Sequence, residues 1–191
     1  LSLEEYIVGK LKNKEQTINI SEYGITTDEI IDVYCEILDQ HPELFYVKGE
    51  LSCSYSSDNI VKTLTITYTD CSQEEIDNVY KEMQKPLKML SEEMTEVEKI
   101  LFLHDYLCVH VEYSEADLES EQYHNIKGVA LEGKAVCEGY TRAFLYFMNE
   151  LGIPCKIVKS SGHVWNQIQL DGKWYMVDVT YDDPVFADYG Y

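Results

Sequence analysis

Residues 133–144 read GKAVCEGYTRAF, and they place a cysteine just past a Gly-Lys turn. From there Tyr140, Phe144, Phe147, Met148 and Leu151 recur at i, i+4, i+7, i+8 and i+11, the pattern of a helix with one buried face. Gly152, with Pro154 beyond it, ends that helix. Cys137 is therefore expected at a helix N-terminus. The unpaired N–H groups and the helix dipole there favour an anion, so the position stabilises a thiolate. Residue type alone favours an inert buried cysteine. A neighbouring base decides between the two.

A hairpin downstream supplies one. Asp171-Gly172 is a strong two-residue turn signal, between strands expected around 163–170 and 173–180, with another around 155–160. Pairing across this turn sets Leu170 opposite Lys173 and His163 opposite Thr180. One face then carries Val164, Ile168, Tyr175, Val177 and Val179, a core face. The other carries His163, Trp165, Asp178 and Thr180. His163 and Asp178 become diagonal neighbours, roughly 7–8 Å apart at Cα and within side-chain reach, provided no bulge intervenes. A carboxylate beside an imidazole fixes its tautomer and steadies the imidazolium. Cysteine, then histidine, then aspartate fits nucleophilic acyl chemistry. An oxyanion hole is also required. The Cys137 amide is one natural donor, and Tyr123 or His124, just upstream, is the candidate second donor, the alternative being ordinary loop residues.

Outward from this region the chain reads as ordinary folded protein. Ser2 with Glu5, Thr26 with Glu29, Ser72 with Glu75 and Thr95 with Glu98 are spaced as capping boxes opening four helices. The first covers Leu3 to about Leu11. The second carries Ile30, Val33, Tyr34 and Ile37 on one stripe, and the third Ile76, Val79, Tyr80 and Met83. The fourth is expected to turn Val97, Ile100, Leu101, His104 and Leu107 inward. Between the second and third, ELSCSY and IVKTLTITYT alternate as hairpin arms around SSDN. Residues 1–90 thus read as a small α+β lobe and 91–191 as a catalytic core.

Composition excludes several functions. The formal charge of −20, from 15 Lys+Arg against 35 Asp+Glu, repels phosphate backbones, so nucleic acid is not an expected partner. No apolar run approaches the ~18 residues of a membrane span. The cysteines at 35, 53, 71, 108, 137 and 155 form no C-x-x-C pair or zinc spacing, and His104 with Cys108 lacks two further ligands. No metal or organic cofactor is expected. The chain opens at Leu1 without Met, as a processed or cut chain would.

GKAVCEGYTRAF, HVWNQIQLDGKWYMVDVTYDDP and FLHDYL together resemble the transglutaminase-like core, a branch of the papain-like fold, over about residues 95–186. The leading lobe, with HPELFYV, is similar to the N-terminal part of bacterial members. The resemblance implies an α+β fold with the cysteine at a helix N-terminus packed on an antiparallel sheet. It makes Cys137 the nucleophile, His163 the base and Asp178 the orienting acid. Trp165 and Asn166, in a His-x-Trp-Asn motif, would shape the site wall. Tyr181 stands where Trp is expected, and only residues 179–191 follow Asp178 where relatives continue with further strands, so the core is expected to be cut short there. The implied activity is acyl transfer on peptide or glutamine amides through a thioester. Hydrolysis is preferred because water is always at hand, with amine transfer or a non-catalytic binding module as alternatives. A peptide or protein is the expected partner. A processed start and the family favour the cell surface or exterior, whereas six unpatterned cysteines favour a reducing setting. Oligomeric state is not legible.

Overall fold

The computed structural model describes residues 1–115 and 118–183 of the chain. Part of the acidic loop, at 116–117, and the end of the 95–186 resemblance lie outside the described residues, as does the expected C-terminal cut. The chain divides into two compact units, Leu1–Gln73 and a second beginning at Glu74.

In the first unit, α1 (Leu3–Lys12) and α2 (Thr27–Gln40) open with the capping boxes read from sequence: Ser2 with Glu5 and Thr26 with Glu29 exchange side-chain and backbone hydrogen bonds. Strands β1 (Thr17–Asn19), β2 (Val47–Tyr55) and β3 (Val61–Tyr68) form an antiparallel sheet in the order β1-β3-β2. Ile7, Leu11, Ile18, Ile30, Tyr34, Ile37 and Leu64 are buried in its core. The Tyr34 hydroxyl escapes the apolar interior by donating to the Lys48 carbonyl at 3.0 Å.

The second unit contains nearly all of α3 (Gln73–Lys88), followed by α4 (Glu96–His110), β4 (Glu112–Tyr113), α5 (Ile126–Glu132), β5 (Lys134–Ala135) and α6 (Cys137–Leu151). Then come β6 (Cys155–Ser160), β7 (His163–Leu170), β8 (Lys173–Val177) and the single turn α7 (Val179–Asp182). The helix α3 is tied to α6 by Gln84, whose Nε2 donates to the Tyr146 hydroxyl at 2.9 Å and to Glu150 at 2.8 Å. At the centre of the unit lies α6, with Tyr140, Phe144, Phe147 and Met148 fully or almost fully buried. The antiparallel sheet β6-β7-β8 packs on it. Both α+β character and a helix opening at Cys137 therefore agree with the sequence reading.

Two sequence-based details are corrected. The inward stripe of α4 is Ile100, Leu103 and Leu107, while Val97 and Leu101 are exposed. Apolar residues at 97, 100, 101, 103 and 107 fit two overlapping helical stripes, and packing selects the second. The strand expected over 173–180 ends at Val177, because the Asp178 side chain accepts the Tyr181 amide and caps α7 instead.

Candidate active site

The hairpin carrying the candidate base forms as its turn dictates. Asp171 and Gly172 adopt φ of +49° and +75°, the left-handed pair that matches strand twist. Pairing then runs from Leu170↔Lys173 to Asn166↔Val177 without slippage. His163 finds its strand partner in β6, opposite Ser160, rather than at Thr180. It still reaches Asp178: His163 Nε2 lies 2.7 Å from Asp178 Oδ2. With the carboxylate accepting, the Nε2 proton is fixed in place and Nδ1 is the ring nitrogen left for a reacting group. Trp165, two residues along the strand, stacks on the imidazole with centroids 5.7 Å apart and planes 24° apart. Its indole nitrogen is buried without a hydrogen-bond partner among the described residues.

Asn166 faces elsewhere. It is 1% exposed, and its Nδ2 donates to the Thr141 carbonyl at 3.1 Å and meets the Cys155 sulfur at 3.6 Å. Alternation along β7 puts it on the helix-packed side, away from Trp165. It fastens α6 to the sheet instead of lining a wall beside His163. Tyr123 is also scaffold: its hydroxyl donates to Glu132 at 2.6 Å, and its carbonyl accepts the Val136 amide at 3.0 Å. A Cβ at Gly139 would stand 2.3 Å from that same carbonyl, so only glycine lets the first turn of α6 approach it. His124 Nδ1 lies 3.1 Å from Glu138, and its Nε2 donates to the Leu118 carbonyl at 2.7 Å.

Half-buried Cys137 opens α6. Whereas α1, α2 and α4 have capping boxes, the N-cap here is Val136, which offers no side-chain acceptor. The first-turn amides are thus not consumed by a cap. One turn on, Thr141 Oγ1 donates to the Val164 carbonyl at 3.1 Å, and the Tyr140 hydroxyl meets both Asp183 and the Val111 carbonyl. The second turn of α6 is thereby held against both elements that carry the His163–Asp178 pair. Cys137 lies one helical turn upstream, roughly 5 Å along the axis.

Sequence reasoning missed Tyr113, which stacks against Tyr140 at 6.4 Å. Burial, and then the neighbouring Cys137, hold its phenol above the ordinary tyrosine value. The same reading turned His104 inward on α4 without a partner and gave Asp182 no role, whereas His104 Nε2 lies 3.2 Å from Asp182 Oδ2 across 78 residues of sequence. Among the described residues no group of three or more His, Cys, Asp or Glu could hold a metal ion, and no described helix is long and apolar enough to cross a membrane.

Residues 86–179 match the family model of the transglutaminase-like superfamily, a stretch that spans Cys137, His163 and Asp178. Over those residues the chain is similar to a transglutaminase-like core. Over 111 residues it is 26% identical to kyphoscoliosis peptidase of Homo sapiens and 27% identical to that of Mus musculus. Each alignment covers 49% of this chain and 17% of the relative, so the chain spans about a sixth of those proteins. A solved TGase structure is similar at 16% identity over 82% of this chain and 48% of its own, with a TM-score of 0.46.

Proposed function

We propose that the transglutaminase-like core performs cysteine-dependent acyl transfer on amide substrates, with hydrolysis as its outcome. The carrying observation is the 2.7 Å hydrogen bond between His163 and Asp178, on elements fastened to the helix that Cys137 opens. His163 Nδ1 takes the Cys137 proton, and Sγ attacks the amide carbonyl carbon. The oxyanion draws on first-turn amides of α6, the Cys137 N–H first. As the tetrahedral adduct collapses, the C–N bond breaks and His163 returns the proton to the departing amine or ammonia, leaving a thioester on Cys137. Water then attacks the thioester while His163 takes its proton, and the acid is released with the thiol restored. Asp178 steadies the imidazolium at both stages. Trp165 covers the flat face of the ring and restricts its rotation.

An amine entering in place of water would make the product a new amide, and the same three residues serve both outcomes. Water needs no dedicated pocket, which favours hydrolysis. The substrate is a peptide or protein, consistent with the peptidase name of the kyphoscoliosis relatives.

The test incubates the protein with casein and with glutamine peptides, and reads ammonia, new N-termini and incorporation of a fluorescent primary amine by mass spectrometry. The proposal expects cleavage or ammonia release that Cys137→Ala abolishes. Amine incorporation exceeding hydrolysis would overturn the hydrolytic assignment. No turnover on any of these, with no thioester trapped on Cys137, would favour a binding module.

A further inference from the structure

Asp178 owes its position to a helix too short to hold itself. The four residues of α7 make one turn, and an isolated turn is unstable on its own because nucleation costs more than one hydrogen bond returns. Asp178 is also its N-cap: Oδ1 accepts the Tyr181 amide at 3.1 Å while Oδ2 faces His163. One carboxylate therefore couples the orientation of His163 to the placement of α7. On its outer side, Tyr181 is 85% exposed. Its anchors must lie inward and at its C-terminal end.

Those anchors come from α4 and α6. His104 on α4 bridges two carboxylates, with Nδ1 2.9 Å from Asp105 and Nε2 3.2 Å from Asp182 at the last position of α7. One turn along α4, the Cys108 thiol faces the Val179 carbonyl at 3.9 Å. Tyr140 of α6 bonds Asp183, just past the turn. Of these, only the His104–Asp182 contact ties a side chain of α7 itself to another helix. The His104 side chain is 16% exposed against 57% for Asp182, so the imidazole is the fixed member and Asp182 docks onto it.

We propose that His104 is a positioning residue: by pinning Asp182 it fixes α7, and through α7 it holds Asp178 where it orients His163. This rests on the reading of His163 and Asp178 as base and orienting acid. His104 touches neither substrate nor nucleophile, and its effect passes entirely through the cap.

The test uses full-length wild type, His104→Leu, His104→Gln, Asp182→Ala and the Leu/Ala double variant. Two quantities are read: the ring 15N shifts of His163, which report whether Nε2 alone carries the proton, and the alkylation rate of Cys137. Wild type is expected to show a single Nε2-protonated tautomer. His104→Leu and Asp182→Ala should each give averaged tautomers and slow Cys137 by about tenfold. His104→Gln, which keeps a donor towards Asp182, should retain the tautomer and most of the rate. The double variant should be no worse than either single one, because both break one link. Asp182 is exposed enough that Asp182→Ala answers the question should His104→Leu fail to fold. Unchanged ring shifts in both single variants, or additive losses in the double, would overturn the proposal. If the ring shifts respond as expected but Cys137 is slow already in wild type, the positioning role stands and the acyl-transfer reading falls.

Discussion

Asp178 bonds in two directions at once: Oδ2 accepts from His163 Nε2 at 2.7 Å, and Oδ1 accepts from the Tyr181 amide at 3.1 Å. The first bond orients the imidazole and the second starts α7. Asp178→Asn separates these roles. Asparagine caps a helix about as well as aspartate, so the melting temperature should stay within about 2 °C of wild type. Without the carboxylate the imidazolium loses its stabilising charge, and turnover should fall by about a hundredfold or more. Thermal melts beside steady-state rates check both. A variant that melts early and keeps its rate would reverse the assignment.

Gly139 is where α6, the helix that Cys137 opens, meets the scaffold. A Cβ there would lie 2.3 Å from the Tyr123 carbonyl oxygen and 2.8 Å from Ala135 Cβ. Both neighbours are buried and neither is a flexible side-chain end. Gly139→Ala should therefore push the first turn of α6 away, costing about 1–3 kcal/mol by the usual penalty of overpacking. A urea midpoint unmoved by the substitution would show that the turn yields freely.

Asn166 holds α6 on β7 by donating from Nδ2 to the Thr141 carbonyl. Asn166→Asp replaces that donor with an acceptor in a site 1% exposed. Two oxygens would then face each other out of water, and a loss of about 2–4 kcal/mol at neutral pH follows from burying an unpaired charge. Acidification should recover part of it, since a protonated carboxyl can donate again. Chemical denaturation at pH 7 and pH 4 measures the difference.

Asp183 gives a pH dependence of defined sign. It is 8% exposed, and burial holds its carboxyl above the ordinary range against the opposing hydrogen bond from Tyr140. The Tyr140 hydroxyl has one proton and two acceptors, Val111 O and Asp183. A protonated Asp183 resolves this by donating to the Tyr140 oxygen. A group with a raised folded pKa contributes stability that is complete below its unfolded pKa and is lost as pH rises through the folded one. Asp183→Asn removes that titration and keeps a donor. The variant should melt close to wild type at about pH 3.5 and above it at about pH 8. Equal melting at both values would contradict the account.

Local signals carried most of what was legible in sequence. Side chains and backbone three residues apart make the capping boxes at Ser2, Thr26 and Thr95, and the Asp171-Gly172 turn fixes the register of β7 on β8 by itself. His163 and Asp178 do meet, although Asp178 lies one residue past the end of β8, where the expected pairing of His163 with Thr180 no longer holds. What escaped depends on contacts between distant residues. The end of β8 follows from Asp178 preferring to cap, a competition between strand and turn that alternation does not encode. The rotation of α4, with Leu103 inside and Leu101 outside, is decided by the helix it packs on. The His104–Asp182 contact joins residues 78 apart, and Asn166 belongs with Thr141 because the sheet's other face is the one α6 covers.

The central claim is that Cys137 is activated by His163, and a reaction rate measures it directly. All six cysteines are alkylated with iodoacetamide at pH 7 in wild type and in His163→Ala, and each rate is read by mass spectrometry. Burial pushes the Cys155 thiol up to about 12 and the Cys108 thiol up to about 11, so both should stay nearly inert. Cys137 should outpace the other five by about tenfold or more in wild type and lose that advantage in His163→Ala. A Cys137 rate no higher than that of exposed Cys35, or one untouched by the loss of His163, would contradict the account.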